Sequence, residues 1–371
     1  EILEQSGQKA GEGYRVISLV RKDNNKSEVL ALIVLSDILR PEVAKTLSYF
    51  TNNGVKIKII SGDDPLTVLA ISKQAGVPDY DKYCDLSKIK NEKELEKLAE
   101  KMTIFGRVSP GQKASLIKGL KKAGMHPAMV GDGVNDIPAL KQANCGIALG
   151  SGSDATKHAA DIILLNNDFD SVPSIVLEGR RVINNITKAS SIFLVKTIFS
   201  VILGILTIFT GLSYPFEPVQ LTVISGFMVG IPTFLLAYEA NFQPINEHYF
   251  TTVMSYSLPG ALSISVEIVL LELVGKWLMI PEAQIVTIMV IVTGLNYLLT
   301  LIKVYAPLNP YRSIIIFGLQ ILYYLVVFNF QKLLGLQFSA NFSVILIYLI
   351  SILAAWYLQS WFRKIYSYFS D

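Results

Sequence analysis

Apolar residues are distributed in two ways along this chain, and the change falls near residue 188. Before it, short apolar runs alternate with charged, glycine-punctuated segments. A turn and a short strand are expected over 11–20. The continuous apolar run 29–35 predicts a strand buried on both faces of a parallel sheet. Pro41 suits the first turn of a helix over 42–52 that Gly54 closes. A strand over 55–60 and a helix over 65–75, stopped by Gly76, come next. A charged, exposed helix over 91–101 and a strand over 103–106 follow. Ser109-Pro110-Gly111-Gln112 reads as a helix start, with Ser as N-cap, Pro at N1 and Gln at N3. Strands at 127–130, 145–149 and 161–165 enclose helices at 137–142 and 154–160. This alternation predicts an α/β doubly wound parallel sheet.

Beyond residue 188 the short runs give way to long ones with few charges. A membrane span needs about 20 mostly apolar residues. Six stretches qualify, near 189–212, 218–239, 257–278, 282–305, 311–330 and 342–362, so an all-α polytopic membrane domain of six transmembrane helices is expected after the α/β part. Six spans return the chain to the side it left. Arg180, Arg181, Lys188, Lys303, Arg312, Arg363 and Lys364 fall on that side, against Lys276 and Lys332 on the other, which predicts a cytoplasmic soluble half and a multi-pass plasma-membrane protein. The loop 240–256 has no Lys or Arg and adds nothing.

Composition changes this picture little. Over 371 residues the formal net charge is +3, which gives no support for nucleic-acid binding. Cys84 and Cys145 lie far apart without metal-ligand or redox spacing and read as free thiols of a reducing compartment. The chain opens on Glu1 without Met or a signal peptide, and a piece of something longer is expected.

The candidate chemistry centres on Met129-Val130-Gly131-Asp132-Gly133-Val134-Asn135-Asp136. An apolar strand ends in a glycine-bearing turn with acids at its C-terminal end, the place where open α/β sheets bind ligands. Asp132 and Asp136 offer the hard oxygen ligands that Mg²⁺ prefers. Upstream, Ser61-Gly62-Asp63 follows another strand, and Lys113 sits in the first turn of the helix after Ser109. A hydroxyl, an ammonium and paired acids holding Mg²⁺ are what phosphoryl transfer requires. Each cluster by itself is equally an ordinary acidic loop, turn or solvated lysine. Their order and spacing make the set specific.

On these motifs, residues 26–188 resemble the second half of the phosphorylation domain of P-type ATPases, members of the haloacid-dehalogenase-like superfamily. Ser61-Gly62-Asp63 resembles the family's Thr-Gly-Asp, with a hydroxyl kept by serine. Lys113, in Arg107-Val108-Ser109-Pro110-Gly111-Gln112-Lys113, matches the lysine that contacts the phosphorylated aspartate. Gly131-Asp132-Gly133-Val134-Asn135-Asp136 matches the hinge motif, whose first aspartate ligates Mg²⁺. Asp37, in Asp37-Ile38-Leu39-Arg40, fits an Asp-Pro-Pro-Arg position with both prolines replaced. Gly13-Tyr14-Arg15 resembles the end of the nucleotide-binding domain. The resemblance implies ATP and Mg²⁺ as cofactors, with Arg15, Asp37 and Arg107 toward the nucleotide. It also implies domains at 1–25 (tail of the nucleotide domain), 26–170 (C-terminal part of the phosphorylation domain), 171–188 (stalk helix) and 189–371 (membrane domain). Asp-Lys-Thr-Gly-Thr and Thr-Gly-Glu motifs do not occur. The upstream half of the same protein, with its actuator domain, phosphorylation motif and first four spans, is therefore an expected partner, and the chain without it is expected not to hydrolyse ATP.

Polar groups at membrane depth are costly, and each is a suspect for the ion path. Lys196 either snorkels to the interface or supplies a built-in counter-charge, as a similar lysine does in proton–potassium pumps of the family. Glu267 and Asn296 are candidate ligands or interhelical hydrogen-bonding groups. Glu272 and Lys276, at i,i+4, are expected to pair. Ser225 and Val229 stand where calcium and sodium pumps carry an asparagine and an aspartate, and Pro232 would unwind its helix and free carbonyls. The Ser225…Ile231-Pro232 pattern resembles a bacterial branch that includes the mycobacterial calcium-uptake type pumps. The implied function is the C-terminal portion of a cation pump with an aspartyl-phosphate intermediate, Ca²⁺ leading among the cations. Pumps for K⁺, Mg²⁺ or another cation, lipid or polyamine transporters, and a membrane-anchored phosphatase of the superfamily remain as alternatives.

Overall fold

A computed structural model describes residues 8–9, 12, 14–23, 26–36, 39–89, 91–210, 213–246 and 248–370. The chain divides into two units, Glu1–Val176 and Leu177–Asp371.

The first unit begins with an antiparallel hairpin, β1 (Arg15–Asp23) and β2 (Lys26–Leu35), in register from Arg15↔Leu35 to Asp23↔Lys26. The parallel, doubly buried strand expected over 29–35 is thus corrected. Only two residues separate the strands, and a parallel pair needs a crossover of a dozen or more. The hairpin's apolar side chains are exposed on both faces, Leu19 at 53% and Leu30 at 51%.

The remaining strands form two parallel three-stranded sheets rather than a single one. In the first, the order is β3 (Ile59–Ile60), β5 (Ile104–Gly106), β4 (Tyr83–Asp85). In the second it is β6 (Ala128–Gly131), β7 (Cys145–Leu149), β8 (Ile162–Leu164). Helices α1 (Val43–Asn52), α2 (Pro65–Gln74), α3 (Glu92–Lys101), α4 (Pro110–Lys122), α5 (Ile137–Gln142) and α6 (Asp154–Ala159) connect them. Local chemistry sets their ends. Asp64 caps α2 by accepting from Leu66 N–H at 2.9 Å, and the Ser109–Gln112 capping box opens α4. The two sheets share a core in which Phe105 of β5 and Met129 of β6 pack with Leu95, Leu116, Leu120 and Leu140. Burying each such side chain contributes roughly 1.5–3 kcal/mol. Helix α3, expected to be exposed, buries Leu95 and Ala99, and its largely covered Glu96 pairs with Lys122 at 2.6 Å.

The unit boundary falls inside α7 (Val172–Thr210), a continuous 39-residue helix. The second span is not one α-helix. It runs as α8 (Pro218–Ser225), a π-helical turn (Gly226–Gly230) and α9 (Ile231–Ala237). Pro232 lacks the N–H that would continue the i→i−4 ladder, and the wider turn absorbs the interruption. Four long helices follow: α10 (Tyr249–Trp277), α11 (Glu282–Val304), α12 (Pro310–Asn329) and α13 (Phe342–Ser370). Among the described residues, six helices are long and apolar enough to cross a membrane. Their shared core includes Ile192, Phe199, Met228, Ile264, Tyr297 and Tyr323. Gly294 exists for contact: a Cβ there would lie 2.3 Å from the Tyr323 ring. Side chains also tie elements together at one end. Asn185 donates to the carbonyls of Ala237 and Glu239 at 2.8 and 2.9 Å. Arg312 grips both oxygens of Glu239 at 2.8 and 2.9 Å.

Candidate functional site

The site is assembled by backbone first. After β3, Ser61 N–H donates to Phe105 C=O at 2.9 Å, Val108 N–H to Ser61 C=O at 3.0 Å, and Arg107 N–H to Asp63 C=O at 2.8 Å. The Ser61-Gly62-Asp63 turn is thereby stitched to the segment that leads into α4. Within the turn, Asp63 N–H donates to Ser61 Oγ, and Ser61 Oγ–H to Asp63 Oδ2, each at 3.1 Å. Four residues past the Ser109 cap, Lys113 sends its ammonium to Asp136 Oδ1 at 2.6 Å, with only 15% and 10% of the two side chains exposed.

The acidic turn is held as tightly. Asp136 Oδ2 accepts from Gly133 N–H at 3.3 Å. Gly131 leaves room for this arrangement, since a Cβ there would come within 2.7 Å of Asp136 Cβ. Asp132 and Asn135 are exposed, and among the described residues the Asp132 carboxylate has no hydrogen-bond or ionic partner. Of the acids named from sequence, one is therefore spent on orienting Lys113 and the other stays free at the C-terminal end of β6.

Arg107 sits in the left-handed region at φ 50°. Its guanidinium bridges Asp64 and Asp85, the latter at 3.0 Å. The Asp85 carboxyl is held below the usual carboxylate range chiefly by the Ser87 hydroxyl, with burial opposing and Ser87 N–H and Arg107 adding to it. Arg15 lies at the start of β1, and Asp37 and Gly13 lie outside the described residues. Cys84 and Cys145 are free thiols whose burial pushes their pKa values up.

Among the described residues no three His, Cys, Asp or Glu side chains gather as a metal site. Magnesium is commonly held by one or two carboxylates, its remaining positions filled by water and substrate phosphate. A single unpartnered carboxylate, Asp132, in the turn whose Asp136 holds the Lys113 ammonium fits that mode of binding.

Two models of haloacid dehalogenase-like hydrolases match the chain, over residues 3–144 and 114–176. A probable cation-transporting ATPase of Streptococcus pneumoniae is 41% identical over 297 residues, which is 78% of this chain and 38% of that protein. Calcium-transporting ATPases of Mycolicibacterium smegmatis and Mycobacterium bovis are 36% and 38% identical, over 70% and 64% of this chain and 35% and 31% of theirs. The chain belongs to the P-type ATPase family. It matches the C-terminal part and spans about a third of the length of these relatives.

In a P-type ATPase the polar groups inside the spans matter next. Lys196 of α7 donates to Ser225 Oγ, at the end of α8, at 2.6 Å, and Ser225 Oγ–H donates in turn to Leu221 C=O. The ammonium thus sits against the residue that leads into the π turn. Pro232 follows that turn and is buried. On other helices, Asn296 Nδ2 donates to Glu267 Oε2 at 2.7 Å. Gln359 of α13 joins this pair by donating to Asn296 C=O at 2.7 Å. Gln359 was legible as a lone amide inside the last apolar run, yet the sequence reading passes over it. Glu239 and Arg312 are likewise unforeseen as a pair, because their 73-residue separation carries no local signal.

Proposed function

We propose that this chain is the C-terminal portion of an ATP-driven cation pump that works through an aspartyl-phosphate supplied by an upstream segment of the same polypeptide. The observation that carries this reading is the Lys113–Asp136 pair in the same turn as the unpartnered Asp132 carboxylate, at the C-terminal end of β6, in a chain that also holds six helices long and apolar enough to cross a membrane. Asp132 is the Mg²⁺ ligand. Asp136 fixes the position of Lys113, whose ammonium neutralises charge on the phosphoryl oxygens, and the Ser61 hydroxyl and the N–H groups of its turn hold those oxygens in line. When bound, Mg²⁺ supplies further positive charge to the same oxygens. Arg15, Asp37 and Arg107 remain the nucleotide-side residues of this reading. The chain without its upstream half does not hydrolyse ATP.

The membrane half favours a pump over an anchored phosphatase, because an anchor has no use for a half-buried lysine and a buried carboxyl and amides. Ca²⁺ is the leading cation, supported by the names of the mycobacterial relatives. One observation favours a singly charged cation instead: the Lys196 ammonium occupies the Ser225 hydroxyl, so a divalent ion seated there would meet a positive charge. The charge bias of the helix ends supports a plasma-membrane protein with its soluble unit in the cytoplasm.

The test uses the full-length protein in proteoliposomes with Ca²⁺, Mg²⁺, Mn²⁺, K⁺ and Na⁺ offered in turn. Ca²⁺ is expected to stimulate ATP hydrolysis and formation of a hydroxylamine-sensitive phosphoenzyme, and Asp132→Asn to lower turnover by roughly 100-fold or more. Stimulation by K⁺ or Na⁺ only would select the second reading. Phosphatase activity indifferent to every ion would defeat both.

A further inference from the structure

Buried hydroxyls in these helices usually bond the carbonyl four residues earlier, as Ser257 does to Val253 (2.9 Å), Ser265 to Ala261 (2.8 Å), Thr287 to Ala283 (2.6 Å) and Thr300 to Asn296 (2.9 Å). Ser263 and Thr293 depart from this. Both are buried, and neither hydroxyl has a partner among the described residues. Each lies one turn from the Glu267–Asn296 pair, Ser263 at i−4 from Glu267 on α10 and Thr293 at i−3 from Asn296 on α11, spacings that share a helix face.

Glu267 itself is 3% exposed. Asn296 satisfies its Oε2, and its Oε1 has no partner among the described residues. Asn296 is fixed in turn by Gln359, whose Nε2 reaches Asn296 Oδ1 at 3.1 Å and Thr300 Oγ1 at 3.2 Å. The carboxyl is therefore gripped from two neighbouring helices while one of its oxygens is left bare.

Charge decides what that oxygen holds. On α10 itself, Lys276 pairs with Glu272 at 3.0 Å. On α7, Lys196 donates to Ser225. On α11, Lys303 donates to Gln359 Oε1 at 3.4 Å, and the buried Tyr297 hydroxyl is unpartnered. On α13, Arg363 lies over the Tyr256 ring at 5.3 Å. None of these cations donates to Glu267. A buried carboxylate without a compensating charge is expensive, more so in a membrane, so the site must take up a single positive charge. An alkali-metal ion needs a shell of several oxygens, but Asn296 Oδ1 and its carbonyl are already taken by Gln359, and the Ser263, Thr293 and Tyr297 hydroxyls make no hydrogen bond with the carboxyl. A proton needs only the bare oxygen.

We propose that Glu267 is a proton-binding site of the helical unit, separate from the Lys196–Ser225 pair. The new O–H bond forms at Oε1 with a proton drawn from water, and nothing is oxidised. The proposal rests on these helices lying in a bilayer and not on the pump reading.

Infrared difference spectroscopy of the full-length protein in nanodiscs tests it. At neutral pH the expected result is a protonated-carboxyl C=O band that shifts on ¹³C-glutamate labelling, moves in D₂O and vanishes in Glu267→Gln. The band should persist in Asp132→Asn, whose catalytic defect is independent of it. Asn296→Val should displace the band without removing it, because the carbonyl loses its hydrogen bond. This arm still reads the site if Glu267→Gln fails to fold. A wild-type spectrum without a labelled protonated-glutamate band overturns the proposal, as does a band that Glu267→Gln leaves untouched. Loss of the band when choline is replaced by Na⁺ or K⁺ at constant pH would make the occupant an alkali ion and overturn it equally.

Discussion

Two aspartates four residues apart in the acidic turn do different work, and the difference can be measured. The Asp136 carboxylate is pinned by Lys113 and Gly133, whereas the Asp132 carboxylate has no hydrogen-bond or ionic partner among the described residues. Lys113→Met removes a charge-assisted hydrogen bond from a largely buried carboxylate and should lower stability by about 1.5–3 kcal/mol in denaturant unfolding. Asp132→Asn should change it by less than about 0.5 kcal/mol while eliminating phosphoenzyme. Equal stability losses in the two variants would show the division to be wrong. Gly131→Ala drives a methyl into Asp136 and should cost about 1–3 kcal/mol. Asp85 supplies a pH test. Its folded pKa is depressed, so its contribution is present above the unfolded value and is lost as pH falls through the folded one. The thermal stability gap between wild type and Asp85→Asn should therefore narrow on acidification, and a gap that widens would contradict the assignment.

At the scale of elements, the second span shows both the reach and the limit of pattern reading. Pro232 within an apolar run predicts a break, and the helix is interrupted there, but the form it takes, a π turn over Gly226–Gly230, depends on neighbours that hydropathy does not encode. Restoring an N–H with Pro232→Ala should let this segment relax toward a continuous α-helix. Ion-stimulated ATPase of the full-length protein is then expected to fall by at least about tenfold with its thermal midpoint preserved, and unchanged activity would remove the π turn from the ion path. Legibility follows the same logic elsewhere. The Ser109–Gln112 box and the strand into Asp132 are local, and they are readable because capping and periodicity act over a few residues. The hairpin was misread because an apolar run reports burial in some context without saying which strand supplies it. Lys113 and Asp136 were named from motif order, but their 2.6 Å contact needs a fold to bring residues 23 apart together. The partners of Gln359 stay hidden for the same reason, since they lie 59 and 63 residues away.

For the whole molecule, the hairpin is where sequence and structure disagree in a productive way. Strands β1 and β2 are rich in Ile, Leu and Val, as a buried strand would be, yet Ile17, Leu19, Leu30 and Leu35 are 44–53% exposed. An isolated two-stranded ribbon is marginal in water, and its unpaired edges are ready templates for another strand. Relatives matched over only 31–38% of their own length have ample additional chain to cover such a surface. The expectation is that backbone amides across residues 15–35 exchange rapidly with deuterium in this chain by itself. In the full-length protein the same amides should be protected by about 2 kcal/mol or more, roughly a thirtyfold slowing. Equal exchange in both forms would mean that no upstream strand or domain covers the hairpin, and the need of this chain for an upstream half would then have to rest on the phosphorylated aspartate and not on the fold. Slow exchange in both would mean that the hairpin is stable without further strands, and its apolar faces would then call for a different partner.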